Sequence, residues 1–184
     1  MFFHKTEMEK ADRLGETLVG GATETASVII ERLTSFGEGV SFRDSSMAPQ
    51  FVIEVIVFYM HLVDRLAFAH FGAVKRGTFS DRFIVAVVKE FLREMSRDLS
   101  ADSLGNSLRD TYNRRQIQYA KYKTLIPQKD GPLKDTLYWE FSKVLFGFLD
   151  DANPATLTFL NLLVVDMTRM MLDDALRVEE VLRS

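Results

Sequence analysis

The sequence predicts an all-α protein: a single-domain bundle of six or seven helices around two hydrophobic central helices, at about 50–71 and 132–150. Three observations carry that prediction. From Phe51 to Ala69 only Glu54, His61, Asp64 and Arg65 are not apolar, counting Tyr59 as apolar, and a helix apolar nearly all round has to be enclosed by other protein. Elsewhere the apolar residues recur at three- and four-residue steps, as in Phe79, Phe83, Val87, Val88 and Phe91. No stretch makes a convincing strand. The β-branched cluster Val52-Ile53 and Val55-Ile56-Val57 is the one rival, and it sits inside an uninterrupted segment of helical length.

Each element has its own local signals. Thr6-Glu7-Met8-Glu9 has the form of a capping box, which predicts a first helix starting near Thr6. Gly15 and Gly20-Gly21 read as interruptions, followed by a second helix over 22–36 that ends at Gly37. Residues 1–36 could thus form a loosely attached arm. Ser45 or Ser46 can accept from the free amides that open the central helix, Pro49 suits its first turn, and Gly72 closes it. A basic turn, Lys75-Arg76-Gly77, leads to a helix over about 79–97 capped by Thr78 or Ser80. Ser100 to Gly105 reads as a break before a more polar helix that runs to about Leu125 and is stopped by Pro127. Pro132 suits the first position of the second hydrophobic helix. Asn153-Pro154, an N-cap followed by a first-position proline, opens a last helix that runs nearly to Ser184.

Composition bounds the class. The 184 residues are 47% hydrophobic and 27% charged, the balance of a soluble globular domain, and fifteen Phe imply an aromatic-rich core. A formal charge of −3 points to no partner, and a nucleic-acid-binding domain would be basic. The chain has no cysteine, which excludes disulfides and thiolate chemistry and fits a cytoplasmic location. Charges from His4 to Arg13 without an apolar run do not form a signal peptide. Residues 51–71 are long enough to span a bilayer, but their four ionisable groups would be costly there, so no membrane association is expected.

Those four groups are the first candidate site. On a helix turning about 100° per residue, His61 and Arg65 fall within about 20° of Glu54, and Asp64 about 80° away, so they form one polar stripe. Imidazole and carboxylates facing into a bundle make metal and acid–base centres, so Glu54, His61 and Asp64 are candidate ligands for a divalent cation, and with Arg65 could face a small molecule. The paired Glu-x-x-His motif of di-metal bundles and the His-Glu-x-x-His motif are absent, so no cofactor is indicated. The plainer reading is a buried hydrogen-bonded network that sets helix register, with Arg65 neutralising Asp64 or Glu54. His70 lies nine residues beyond His61, about 180° round the helix, and cannot join the stripe.

The second candidate is Arg109 to Lys123, where five basic residues face one acid, Asp110. Arg114, Arg115, Tyr119 and Tyr122 are candidate anion-binding residues, able to hold an anionic metabolite or stack bases. The plainer reading turns the tyrosines inward and leaves the charges solvated. The third candidate is the last helix. Asp166, Arg169, Asp173, Arg177 and Glu180 form an expected ladder of ion pairs, while Leu157 through Leu176 are apolar over more than one core stripe needs. That surplus predicts a homodimer through residues 155–183. Glu140, close to Lys143, reads as part of an exposed strip.

Two functional readings follow. One is a non-enzymatic helical binding or interaction domain, dimeric, with a small-molecule pocket beside the stripe. The other is an enzyme, metal-dependent or acid–base, centred on Glu54, His61, Asp64 and Arg65 with an anionic substrate on the 109–123 helix. An enzyme needs His61 and a carboxylate from another helix at an open cavity, whereas a structural network is sealed and fully bonded.

Overall fold

The computed structural model of the chain describes residues 3–36, 40–95, 101–123, 135–150 and 153–184. Among them are six α-helices: α1 (Phe3–Phe36), α2 (Ala48–Met95), α3 (Ala101–Tyr119), α4 (Leu137–Phe146), α5 (Pro154–Arg169) and α6 (Val178–Arg183). The described residues contain no strand, only an isolated antiparallel bridge between Phe42 and Leu149. The chain is an all-α bundle.

The long α2 is a hairpin of two arms, 48–71 and 73–95. Gly72 turns it with φ 73° and ψ 180°, a backbone conformation open in practice only to glycine. Contacts with α1 record the reversal. The Tyr59 hydroxyl lies near Thr25 and the Lys10 ammonium lies 5.7 Å from the Phe71 ring centre, so α1 runs antiparallel to the first arm. Glu7 pairs with Lys75 at 3.3 Å and Asp12 with Arg82 at 2.6 Å, so α1 runs parallel to the second. α3 then lies parallel to the first arm, with Gln50 opposite Thr111 and Arg65 opposite Tyr122. α4 is antiparallel to that arm, since Phe51 meets Phe148 and Phe58 meets Phe141.

From Phe51 to Asp64 the first arm is therefore enclosed by its neighbours, which is why its sequence is apolar nearly all round there. Phe58 is its hub: fully buried, it stacks on Phe141 with ring centres 3.9 Å apart and takes edge contacts from Tyr119 and Tyr138. Burying one such ring contributes roughly 2–3 kcal/mol, before the smaller gain from ring geometry.

Several boundaries differ from the sequence expectations. α1 starts at Phe3 and is unbroken to Phe36, so Thr6 is not its cap. Gly15 and Gly21 are contact points, not breaks. A methyl at Gly15 would lie 2.5 Å from the Ala86 Cβ, and one at Gly21 would meet Met171 at 2.6 Å. Ahead of α2 lies a 3-10 turn over Ser45–Met47, capped by Asp44, whose carboxylate accepts from the Ser46 amide at 2.9 Å. Lys75-Arg76-Gly77 is helical, because Gly72 alone makes the reversal. α3 begins at Ala101, so Gly105 is inside the helix, and it stops at Tyr119, where the chain tightens into i→i−3 bonds from Lys121 to Gln118 and from Tyr122 to Tyr119.

The second hydrophobic helix is shorter than expected. Pro132 lies outside the described residues, and Asp135 (φ 66°) and extended Thr136 precede α4, with the Thr136 hydroxyl accepting from the Trp139 amide at 3.2 Å. Beyond Phe146 the chain leaves the helix to bridge with Phe42. Asn153 and Pro154 open α5 as expected. The last helix is not continuous: a π-helical turn over Met170–Ala175 and left-handed Arg177 (φ 47°) separate α5 from α6. That extra turn shifts the register of the charge ladder. Only its Arg177–Glu180 pair, at 3.8 Å, forms among the described residues. By length and composition alone residues 154–183 could cross a membrane, and a third of the most apolar window is buried.

Candidate functional site: a cleft at the turn of α2

The polar stripe on the first arm is a zipper against α3. At its start, Gln50 donates to the Thr111 hydroxyl at 3.3 Å. One turn on, Glu54 is held by both nitrogens of Arg115, at 2.8 and 2.7 Å, with Arg114 reaching it at 3.4 Å. Glu54 is 1% exposed. A buried pair of this kind contributes little net stability, but removing one partner costs about 3–5 kcal/mol by stranding the other charge. Candidate anion-binding residues Arg114 and Arg115 thus serve Glu54. Tyr119 is fully buried against Phe58 and His61, and burial pushes its hydroxyl pKa well up. Tyr122, half-buried beyond α3, gives its backbone carbonyl to Arg65 at 2.8 Å.

Asp64 faces a different element. Arg76, from the second arm, binds it with two nitrogens, Nε at 2.9 Å, and the Ser80 hydroxyl donates to it at 2.5 Å. The carboxylate holds the Arg76 guanidinium above its usual pKa. This clasp joins the arms across Gly72. Arg65 neutralises neither carboxylate. It donates to the carbonyls of Tyr122 and Lys123, at 2.8 and 3.3 Å, and forms no ion pair with a described residue. The candidate divalent-cation ligands Glu54, His61 and Asp64 are not brought together: among the described residues no three His, Asp or Glu side chains group closely enough to share an ion. Both carboxylates have turned to arginines on different elements instead.

His61 sits between the two clasps, 4% exposed, with Nδ1 at 2.8 Å from the Gln116 amide oxygen. That oxygen only accepts, so Nδ1 carries the hydrogen and the neutral ring keeps its lone pair on Nε2. Burial lowers the His61 pKa, the Gln116 bond opposes this, and the nearby Arg65 charge lowers it further. Nε2 has no hydrogen-bond partner, and neither has the amide nitrogen of Gln116. The Tyr112 hydroxyl lies near that amide but outside hydrogen-bonding geometry.

These groups border a cleft of about 660 Å³ where the first arm meets the turn of α2. His61, Asp64, Arg65, Arg76 and Gln116 supply its polar wall; Leu62, Leu66, Phe68 and Leu172 supply apolar surface, and Tyr138 closes it. Burial pushes the Tyr138 hydroxyl up to about 12. Phe68 is half exposed at the rim, with the Arg76 guanidinium 5.8 Å from its ring centre. Glu54 does not line the cleft, nor does His70, which is exposed with its ring against Phe71.

No protein family, curated protein or solved structure matches this chain. The site therefore has to be read from its own chemistry.

Of the residues that shape the cleft, the sequence singled out His61, Asp64 and Arg65. It missed Arg76, Gln116, Tyr138 and Leu172. Arg76 stood out only as part of a basic turn, and Gln116 as an unremarked polar residue in the basic helix. Glu140 also differs from expectation. It pairs with Lys143 at 2.6 Å but is 8% exposed, so it is not on an exposed strip.

Proposed function

We propose that this protein is a non-enzymatic helical binding domain whose cleft takes a small molecule with a largely apolar body. One observation carries the reading: a nine-tenths-buried histidine and its glutamine neighbour, both on the cleft wall, each keep a polar nitrogen without a partner. A buried polar atom left unbonded costs about 1–3 kcal/mol. A ligand group presenting a donor to His61 Nε2 and an acceptor to the Gln116 nitrogen would recover that cost, reached by rotation of the half-buried Gln116 side chain. The volume falls within the range of about 300–1,000 Å³ usual for small-molecule sites.

Binding is favoured over catalysis because the carboxylates are already engaged. Asp64 and Glu54 are each gripped by an arginine, so neither is free as a base. His61 has an amide, not a carboxylate, behind it. The reading includes self-association through residues 155–183, supported by Leu162 and Met170, which are 55% and 54% exposed on that segment.

A neutral solvatochromic dye, Nile red, tests the cleft. Ala120 borders it and is exposed, so Ala120→Trp should fill it without disturbing the core. One dye per chain is expected to bind the wild type, with affinity falling at least about tenfold in the variant, a difference of about 1.4 kcal/mol. Absence of binding, or binding undiminished in Ala120→Trp, overturns the proposal.

A further inference from the structure

Resting on that binding reading, we infer that the occupant of the cleft is an organic anion, its carboxylate-sized charged group held at Arg65 and its apolar body lying along Leu66 and Phe68. Among the described residues three charged side chains line the cleft: Asp64, Arg65 and Arg76. Arg76 and Asp64 cancel in their two-point clasp, and the Ser80 hydroxyl adds to the saturation of the carboxylate. Arg65 is left over. Among the described residues it has no carboxylate partner, so the wall carries one net positive charge.

The carbonyls of Tyr122 and Lys123 explain part of Arg65, because the end of a helix attracts a cation. They use two of its five N–H donors, and a neutral amide could satisfy them as well. They do not account for the charge. A half-buried guanidinium beside apolar side chains loses hydration that an anion would replace, and its planar fork fits a carboxylate in two-point fashion. The unpartnered nitrogen of Gln116 is a further donor on the same wall. Ala120, on the cleft wall, is followed in the chain by exposed Lys121 and Lys123. The opposite choice, a cationic ligand, would have to bind where the one acid among the described lining residues is already neutralised.

Competition against Nile red separates this inference from the one beneath it. Decanoate is expected to displace the dye at concentrations at least about tenfold lower than decanol, and decyltrimethylammonium to be the weakest of the three. In Arg65→Gln, which keeps donors for the two carbonyls, the advantage of decanoate should shrink severalfold while dye binding persists. Decanol or the ammonium ion competing as well as decanoate overturns the inference, as does an advantage that survives Arg65→Gln. Should that variant lose dye binding altogether, the comparison of the three competitors on wild-type protein decides. Failure of the dye itself to bind refutes the cleft, whereas dye binding without a carboxylate preference refutes only the anionic ligand.

Discussion

At the scale of the residue, His61 is the most exacting position in the chain. Its ring is buried between Tyr119 and Gln116, and its surroundings hold it neutral. In the unfolded chain the same imidazole binds a proton with ordinary affinity, near pH 6.5. Acid therefore favours the unfolded state: the contribution of His61 is fully present above that ordinary value and is lost as pH falls through the depressed folded one. Urea unfolding of wild type and His61→Leu should show it. The wild type is expected to lose more stability than the variant as pH drops from about 7 toward 5. Parallel profiles would mean that His61 titrates in the fold as it does in solution. Sequence spacing predicted the stripe that contains His61, because spacing reports which side of a helix a residue occupies. It could not name the partners. Arg76 meets Asp64 only because the chain doubles back at Gly72, and Gln116 meets His61 only because α3 returns parallel to the first arm.

At the scale of the element, glycine had two meanings that spacing could not separate. In α1, Gly15 and Gly20 looked alike as helix breakers. Gly15 is where α1 and the second arm of α2 touch backbone to backbone, and a methyl there meets the Ala86 Cβ and the Val87 backbone at 2.5 and 3.1 Å. At exposed Gly20 a methyl meets only the end of Glu94, at an ordinary 3.5 Å. The two substitutions should therefore have opposite signs. Gly20→Ala is expected to stabilise by about 0.5–1 kcal/mol, the ordinary helix preference for alanine. Gly15→Ala should destabilise by about 1–3 kcal/mol, because overpacking outweighs that preference. Denaturant midpoints of the two variants measure the contrast, and equal signs would contradict the close approach. Capping signals fared unevenly for a similar reason. Asn153-Pro154 works as read, since cap and first turn are neighbours in sequence. Thr6-Glu7-Met8-Glu9 does not, since α1 has already begun three residues earlier, at Phe3.

At the scale of the whole molecule, the arm 48–71 packs against α1, α3, α4 and its own continuation, while Leu162 of α5 and Met170 of the π-helical turn are left to solvent. The proposed pairing of two chains through 155–183 is checked by sedimentation. Wild-type protein at tens of micromolar should run as a dimer and Leu162→Glu as a monomer; a wild-type monomer would refute the pairing. The sequence by itself determined that the chain is helical, that the first arm is buried over most of its length, and that Glu54, His61 and Arg65 share a side. Each of these follows from helical geometry and the free energy of burying apolar surface, and both act on neighbours along the chain. Only the tertiary structure decided which charges cancel. Asp64 and Arg76 are twelve residues apart and Glu54 and Arg115 sixty-one, distances over which no local rule operates. Among the described residues lining the cleft, that pairing leaves Arg65 as the cation without a counterion, and it makes a cleft out of what the sequence offered only as a stripe.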